Sequence, residues 1–271
     1  MLKRILVLLV LIPVAGLGYV WRSEGVPPTQ LPSAMKMVTG LSAKLACSGR
    51  YLSGFDAETI EDDLAVYSEL TRFAAYEDLP GRSIQARFYG TSSSARYRPG
   101  VGCTLEYGPS VLDKVRVPPL ESDQAKPWPG GSRLEPHEAG VQALVEDIVA
   151  ADNAAGERTR ALLVVQRGRV QAEAYGPGIT RTTPLLGWSM GKSITAIMLG
   201  RLEAMGQIAV SESGLFTAWR KDQRAAITVE TMLHMSAGLA VLEDYGPGSD
   251  STRMLFMSPS ASDVALESPL E

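Results

Sequence analysis

The chain has 271 residues and a formal net charge of −4, with 45% apolar and 21% charged residues. That length holds one large domain or two modest ones with a real core, and the balance is that of an ordinary globular protein. A slightly acidic chain without a basic stripe cannot replace the condensed counterions of a phosphate backbone, so nucleic acid is excluded as a partner class.

At the N-terminus, Lys3 and Arg4 precede an uncharged apolar run from Ile5 to Trp21. A positive flank followed by such a run fits a secretory signal peptide or a signal anchor. Its length sits at the lower limit for spanning hydrocarbon, roughly 17–25 residues. Ala15-Gly16-Leu17-Gly18 is the nearest approach to a cleavage site, while Tyr19 and Trp21 suit the interface belt of a membrane helix. The expectation is a membrane partner through residues 5–21 of segment 1–24, with the rest on the periplasmic, extracytoplasmic side of an inner membrane, or secreted there if the segment is cleaved.

Residues 25–39, with Gly25, Pro27, Pro28 and Pro32, read as a linker. A small α+β region then covers 40–118. Ala57 to Leu70 places Ile60, Leu64 and Tyr67 at helical spacing with Glu61, Asp62 and Asp63 outside, which predicts an amphipathic helix. Ser83 to Tyr89 and Gly102 to Tyr107 read as strands around a Ser/Arg/Pro/Gly loop. Cys47 and Cys103 are the only cysteines, so they form one intrachain disulfide in an oxidising compartment or stay as two buried thiols. Two distant Cys and two distant His show no metal-ligand spacing.

Residues 119–136 are rich in proline and glycine and read as a connector to a second part, 137–271. Val141, Leu144, Val145, Ile148 and Val149 form one apolar helix face fraying at Asn153. Ala161–Gln166, the turn Arg167-Gly168 and Arg169–Tyr175 predict a β-hairpin whose nearly all-apolar first strand is buried on both faces. A helix from Ser189 to Met205 should turn Ile194, Ile197, Met198, Leu202 and Met205 to a core and stop at Gly206. Thr228 caps a further short helix that ends before Gly238. Helix, hairpin, helix is an α+β or mixed α/β order, not a series of βαβ units.

Ser189 and Lys192 stand three apart at a helix start, on one face, so hydroxyl and amine can meet. A serine hydroxyl needs an adjacent base to act as nucleophile, and a lysine supplies one where burial or a neighbouring cation depresses its pKa. Leu185, Leu186, Trp188 and Met190 are expected to make that dry setting. The bare pattern also describes a helix N-cap serine with a solvated lysine one turn on. A phosphate-binding loop is excluded: it needs four residues between its glycines, and Gly187 and Gly191 enclose three.

The run Leu186-Gly187-Trp188-Ser189-Met190-Gly191-Lys192-Ser193 resembles the nucleophile segment of SxxK serine hydrolases of the class C β-lactamase-like group, most of all the 6-aminohexanoate-dimer hydrolase branch. Three further stretches resemble the group in order. They are Leu163 to Tyr175, Thr231 to Leu239, and Glu243-Asp244-Tyr245 with Asp250 and Arg253-Met254-Leu255. The likeness spans about residues 137–271. It implies a β-lactamase/DD-peptidase-like fold, an antiparallel sheet with a helical region. It also implies acyl transfer on a small amide or ester, with Ser189 as nucleophile, Lys192 as base and the Ser189 N–H as one of two oxyanion donors. Tyr245 matches a tyrosine over the substrate, or else is a loop aromatic packed on the surface. His234 and His137 are set aside as catalytic bases, and no metal or organic cofactor is implied.

The family's second motif, Tyr-x-Asn or Tyr-Ser-x-Gly, and its third, Lys/His-Thr-Gly, follow the nucleophile helix. After Lys192 the only tyrosine is Tyr245, followed by Gly246-Pro247, and no Thr-Gly occurs. Asp263 to Glu271 has no terminating element. The expectation is therefore a fold incomplete at its C-terminus with little turnover. The alternative is a membrane-tethered, non-catalytic binding or sensor protein of the same fold.

Overall fold

The computed structural model describes residues 26–118 and 123–271. The apolar run at 5–21 lies outside the described residues, and among the described residues no helix is long and apolar enough to cross a membrane. The molecule is mixed α+β, with one four-stranded and one two-stranded antiparallel sheet. It divides into two compact units: the described residues up to Val115 together with Leu186–Glu271, and Arg116–Leu185. This differs from a division at 118 and 136, because Phe256 and its neighbours Leu255 and Met257 pack into the core built by the N-terminal residues.

In the first unit, the prolines of the expected linker mark a helix start, where a missing N–H costs nothing. A 3-10 turn, Pro28–Gln30, leads into α1, Leu31–Ser48, with proline in its first turn. Residues 31–39 are therefore helix. From Val38 to Cys47 every residue except Lys44 is buried. Small side chains make that depth attainable: Ala43, Ala46 and Cys47 lie on Ile84, Ala86, Ala95 and Cys103 of the sheet. Gly40 has a specific reason. A Cβ there would stand 2.3 Å from the Phe256 carbonyl oxygen, so only glycine admits this backbone approach.

Helix α2, Ala57–Tyr67, starts where the Asp56 carboxylate accepts from the Thr59 N–H at 2.8 Å. It buries Ile60 and Leu64, as its periodicity predicts. The sheet runs β1 (Ala75–Leu79), β2 (Ser83–Phe88), β3 (Thr91–Arg98), β4 (Gly102–Leu105) as an antiparallel meander. Strand β3 occupies what the sequence presents as a loop. Its serines hide it from propensity, yet Ser93 meets the Thr39 hydroxyl at 2.9 Å and Ala95 is buried beneath α1. Cys47 and Cys103 are joined, with Cα atoms 5.9 Å apart, so the end of α1 is tied to β4. Arg98, also buried, donates to Asp113 at 2.9 Å and to Glu106 at 2.6 Å.

In the second unit, α3 (Ala139–Ala155) packs Val145 and Val149 on Ala172 and Ala174 of a hairpin, β5 (Ala161–Gln166) and β6 (Arg169–Tyr175). Arg167 and Gly168 both have positive φ, as a two-residue hairpin turn requires. Strand β5 is not buried on both faces: Leu163 and Val165 are about half exposed at 48% and 47%, because within the unit a single helix covers the hairpin. For the same reason the apolar face of α3 is narrower than its pattern, and Leu144 and Ile148 stay exposed.

The first unit resumes with α4, Met190–Ala204, closed by Gly206 in the left-handed region. Its apolar stripe does not reach a core. Ile194, Ile197 and Met198 are 60%, 72% and 62% exposed, and the helix buries no residue. Helix α5, Val229–Leu233, begins at the Thr228–Thr231 capping box. The last segment holds α6, Ala261–Glu267, and a bridge between Leu239 and Leu270. Buried Trp219 donates to the Leu266 carbonyl at 3.1 Å, and Arg224 donates to both Leu266 and Ser268.

Candidate active site

Ser189 occupies the N-cap position of α4 with helical backbone angles, and its hydroxyl makes no capping bond. A capping serine turns its oxygen to the second or third N–H of the helix. Here the Oγ instead receives a hydrogen bond from Lys192 Nζ at 3.1 Å. The opening turn is tight: Met190, Gly191 and Lys192 donate their N–H groups to Gly187, Trp188 and Ser189. The Ser189 N–H stands before this ladder.

Trp188, which delivers Ser189 to that position, has φ +42°. A bulky residue in the left-handed region costs about 1–3 kcal/mol and persists only where its surroundings hold it. Two contacts with Tyr67, the last residue of α2, do so. The indole Nε1 donates to the Tyr67 hydroxyl at 3.0 Å, and the rings lie 5.6 Å apart at a 55° tilt.

Within the first unit the expected dry setting is not formed. Ser189 and Lys192 are both exposed, as are Leu185, Leu186, Trp188 and Met190. The cause is the uncovered face of α4, which leaves the pair at the surface. Beside it opens a cavity of about 340 Å³. Met37 and Leu41 of α1, Tyr67, Trp188, Ser189, Tyr245, Thr252, Leu255 and Phe256 line it.

Tyr245 therefore shares a cavity with Ser189, and like Trp188 it has positive φ, +55°. Its loop is pinned by Asp250, whose carboxylate accepts from the Leu242 N–H at 3.1 Å, and by the Ser251 N–H on the Leu242 carbonyl at 3.2 Å. His234 ends α5 in an exposed position, and His137 is half-buried in the other unit. Among the described residues no group of three or more His, Cys, Asp or Glu is placed to hold a metal ion.

No family model, curated protein or solved structure matches the chain.

The geometry thus pairs Ser189 with Lys192 and places Ser189 and Tyr245 on one cavity. Sequence reasoning missed Met37, Leu41, Tyr67 and Phe256. Met37 and Leu41 had a readable signal, one helical turn apart, but they straddle the start of the supposed linker's end. The Tyr67–Trp188 pairing, across 121 positions, leaves no trace in local pattern.

Proposed function

We propose that the chain is a serine hydrolase that acts on an amide or ester through an acyl-serine intermediate, built on a β-lactamase-like fold. One observation carries this: the Ser189 oxygen forgoes its helix-capping role and pairs with Lys192 at 3.1 Å. The resemblance of residues 186–193 to an SxxK nucleophile segment supports it. The disulfide fits an exported chain, tethered or released outside the cytoplasm.

In the reaction, Oγ attacks the carbonyl carbon while the Lys192 amine takes the hydroxyl proton. The tetrahedral oxyanion is stabilised by the Ser189 N–H at the positive end of α4. The leaving alkoxide or amine departs with the proton that Lys192 returns, which leaves the acyl-serine. Water then attacks that ester. Its proton passes through Lys192 to Oγ as the carbon–oxygen bond breaks, and free acid and Ser189 are regenerated.

The exposure of Lys192 favours a second reading, in which Ser189 is acylated but released slowly and the chain serves as a binding or sensor protein. A fluorophosphonate probe on the full chain, with adduct mapping by mass spectrometry, tests both. Labelling at Ser189 that disappears in Ser189→Ala, together with turnover of a p-nitrophenyl ester, supports the hydrolase. Labelling without turnover supports the sensor. No adduct at Ser189 sinks both.

A further inference from the structure

We infer that the cavity beside Ser189 is a subsite for an uncharged, compact apolar group of the substrate, and that the N-terminal helices α1 and α2 contribute part of its lining. This rests on Ser189 being the nucleophile.

Its floor is buried: Leu41 of α1 and Phe256 are 5% exposed, and Thr252 is 1% exposed. The Thr252 hydroxyl oxygen accepts from the Ser249 hydroxyl at 3.0 Å, and the only polar group it offers at depth is neutral. Met37 and Leu255 form walls, and the aromatic rings of Tyr67, Trp188 and Tyr245 form the rim. No lining residue carries a charge. A charged group seated there would lose its hydration without gaining a partner, which is strongly unfavourable. An apolar group gains in proportion to the area it removes from water. At about 340 Å³ the space lies near the lower end for ligand pockets, roughly 300–1,000 Å³, so it suits a short alkyl or single-ring group rather than a long chain.

The position of the subsite fixes its role. Ser189 is itself a lining residue, so a group in the cavity stays attached to the carbonyl that the hydroxyl attacks. Leu41 of the floor, the Met37 wall and the Tyr67 part of the rim come from residues 37–67, outside the stretch that resembles the hydrolases, while Thr252, Leu255 and Phe256 come from within it. The N-terminal layer thereby acquires a function: it selects substrate. It also holds the geometry, since Gly40 lets the backbone of Phe256 approach α1 between Met37 and Leu41.

The test separates binding from chemistry. Acetamide, butanamide, hexanamide, and hexanamide carrying a carboxylate or an ammonium group at the far end of its chain are titrated into the full chain while tryptophan fluorescence is followed, with Trp188→Phe as the control that removes the response. Hexanamide should bind, each added methylene should tighten binding about fourfold until the cavity is full, and both charged analogues should bind at least about tenfold more weakly. Met37→Phe and Leu255→Phe, each filling part of the cavity, should shift the optimum to shorter amides. Equal binding of charged and neutral analogues, or no length dependence, overturns the inference. Fluorophosphonate labelling in the same samples distinguishes the two claims. Labelling at Ser189 without amide binding removes the subsite and leaves the hydrolase. Amide binding without labelling removes the hydrolase reading, and with it the cavity's role as a substrate subsite.

Discussion

The indole N–H of Trp188 donates to the Tyr67 hydroxyl at 3.0 Å, so the residue before the nucleophile is held by the end of a helix 121 positions earlier. Tyr67→Phe removes that acceptor while keeping the ring. The variant should lose about 0.5–1.5 kcal/mol of stability in urea. Its fluorophosphonate labelling should slow several-fold, because Trp188 is freer to leave its positive φ. Unchanged labelling would show that the pair serves stability alone.

Lys192 is exposed, so its replacement should leave folding nearly untouched. Lys192→Met should lower the rate of Ser189 acylation about 10²–10⁴-fold, the usual worth of a positioned base. Lys192→Arg should fall as far, since a guanidinium stays protonated. The measurement is the second-order labelling rate beside a thermal melt. Retained labelling in Lys192→Arg would remove the lysine from the mechanism.

Gly40→Ala places a methyl group 2.3 Å from the Phe256 carbonyl oxygen, and no side-chain rotation relieves a clash with backbone. The expected cost is about 1–3 kcal/mol, as for other overpacked cores. Since Leu41 and Phe256 line the cavity, hexanamide binding should weaken in parallel. Denaturant titration and fluorescence together check this.

The Cys47–Cys103 bond closes a sequence separation of 56 residues. The paired variant Cys47→Ala with Cys103→Ala should lose about 2–4 kcal/mol of stability. The loss should appear as a lower denaturation midpoint with a somewhat steeper slope, because the unfolded chain without the cross-link exposes more surface. Equal stability of variant and parent would mean that α1 is held by packing alone.

Acid should loosen the first unit. The hydrogen bond from Arg98, joined by the Ser110 N–H, holds the Asp113 carboxyl below the usual carboxylate range. A carboxylate depressed in the folded state adds stability above its unfolded pKa, near 3.9, and that stability is lost as pH falls through the folded value. Melting temperature should therefore drop below about pH 4. Asp113→Asn should be less stable at neutral pH but show a shallower acid slope. An identical slope would assign the acid response to other carboxylates.

Much of the local structure was legible from sequence. Ile60 and Leu64 announced α2, Arg167-Gly168 announced the hairpin turn, and Thr228 announced α5, because each signal is read within one turn or strand. Errors came where tertiary packing overrides local pattern. Ser92 to Ser94 have poor strand propensity, but the small side chain of Ser93 lets the strand lie beneath α1, where it meets the Thr39 hydroxyl. Ile194, Ile197 and Met198 form a sound amphipathic stripe, and the stripe says nothing of whether a partner surface meets it. The Ser189–Lys192 pair was readable because three-residue spacing on a helix fixes proximity. Its cavity was not, since Met37, Leu41 and Tyr67 stand about 120–150 positions from Ser189 and no local pattern joins them to it.

The crosslink between α1 and β4 also makes the history of a sample part of its behaviour. Protein drawn from a reducing cytosol and protein drawn from an oxidising compartment share one sequence but differ in how firmly α1 is held. Because α1 carries Met37 and Leu41, a preparation can keep an intact Ser189 and still present a loosened cavity floor. Two laboratories assaying the same gene product could then obtain different specificities from a difference in thiol reagent alone.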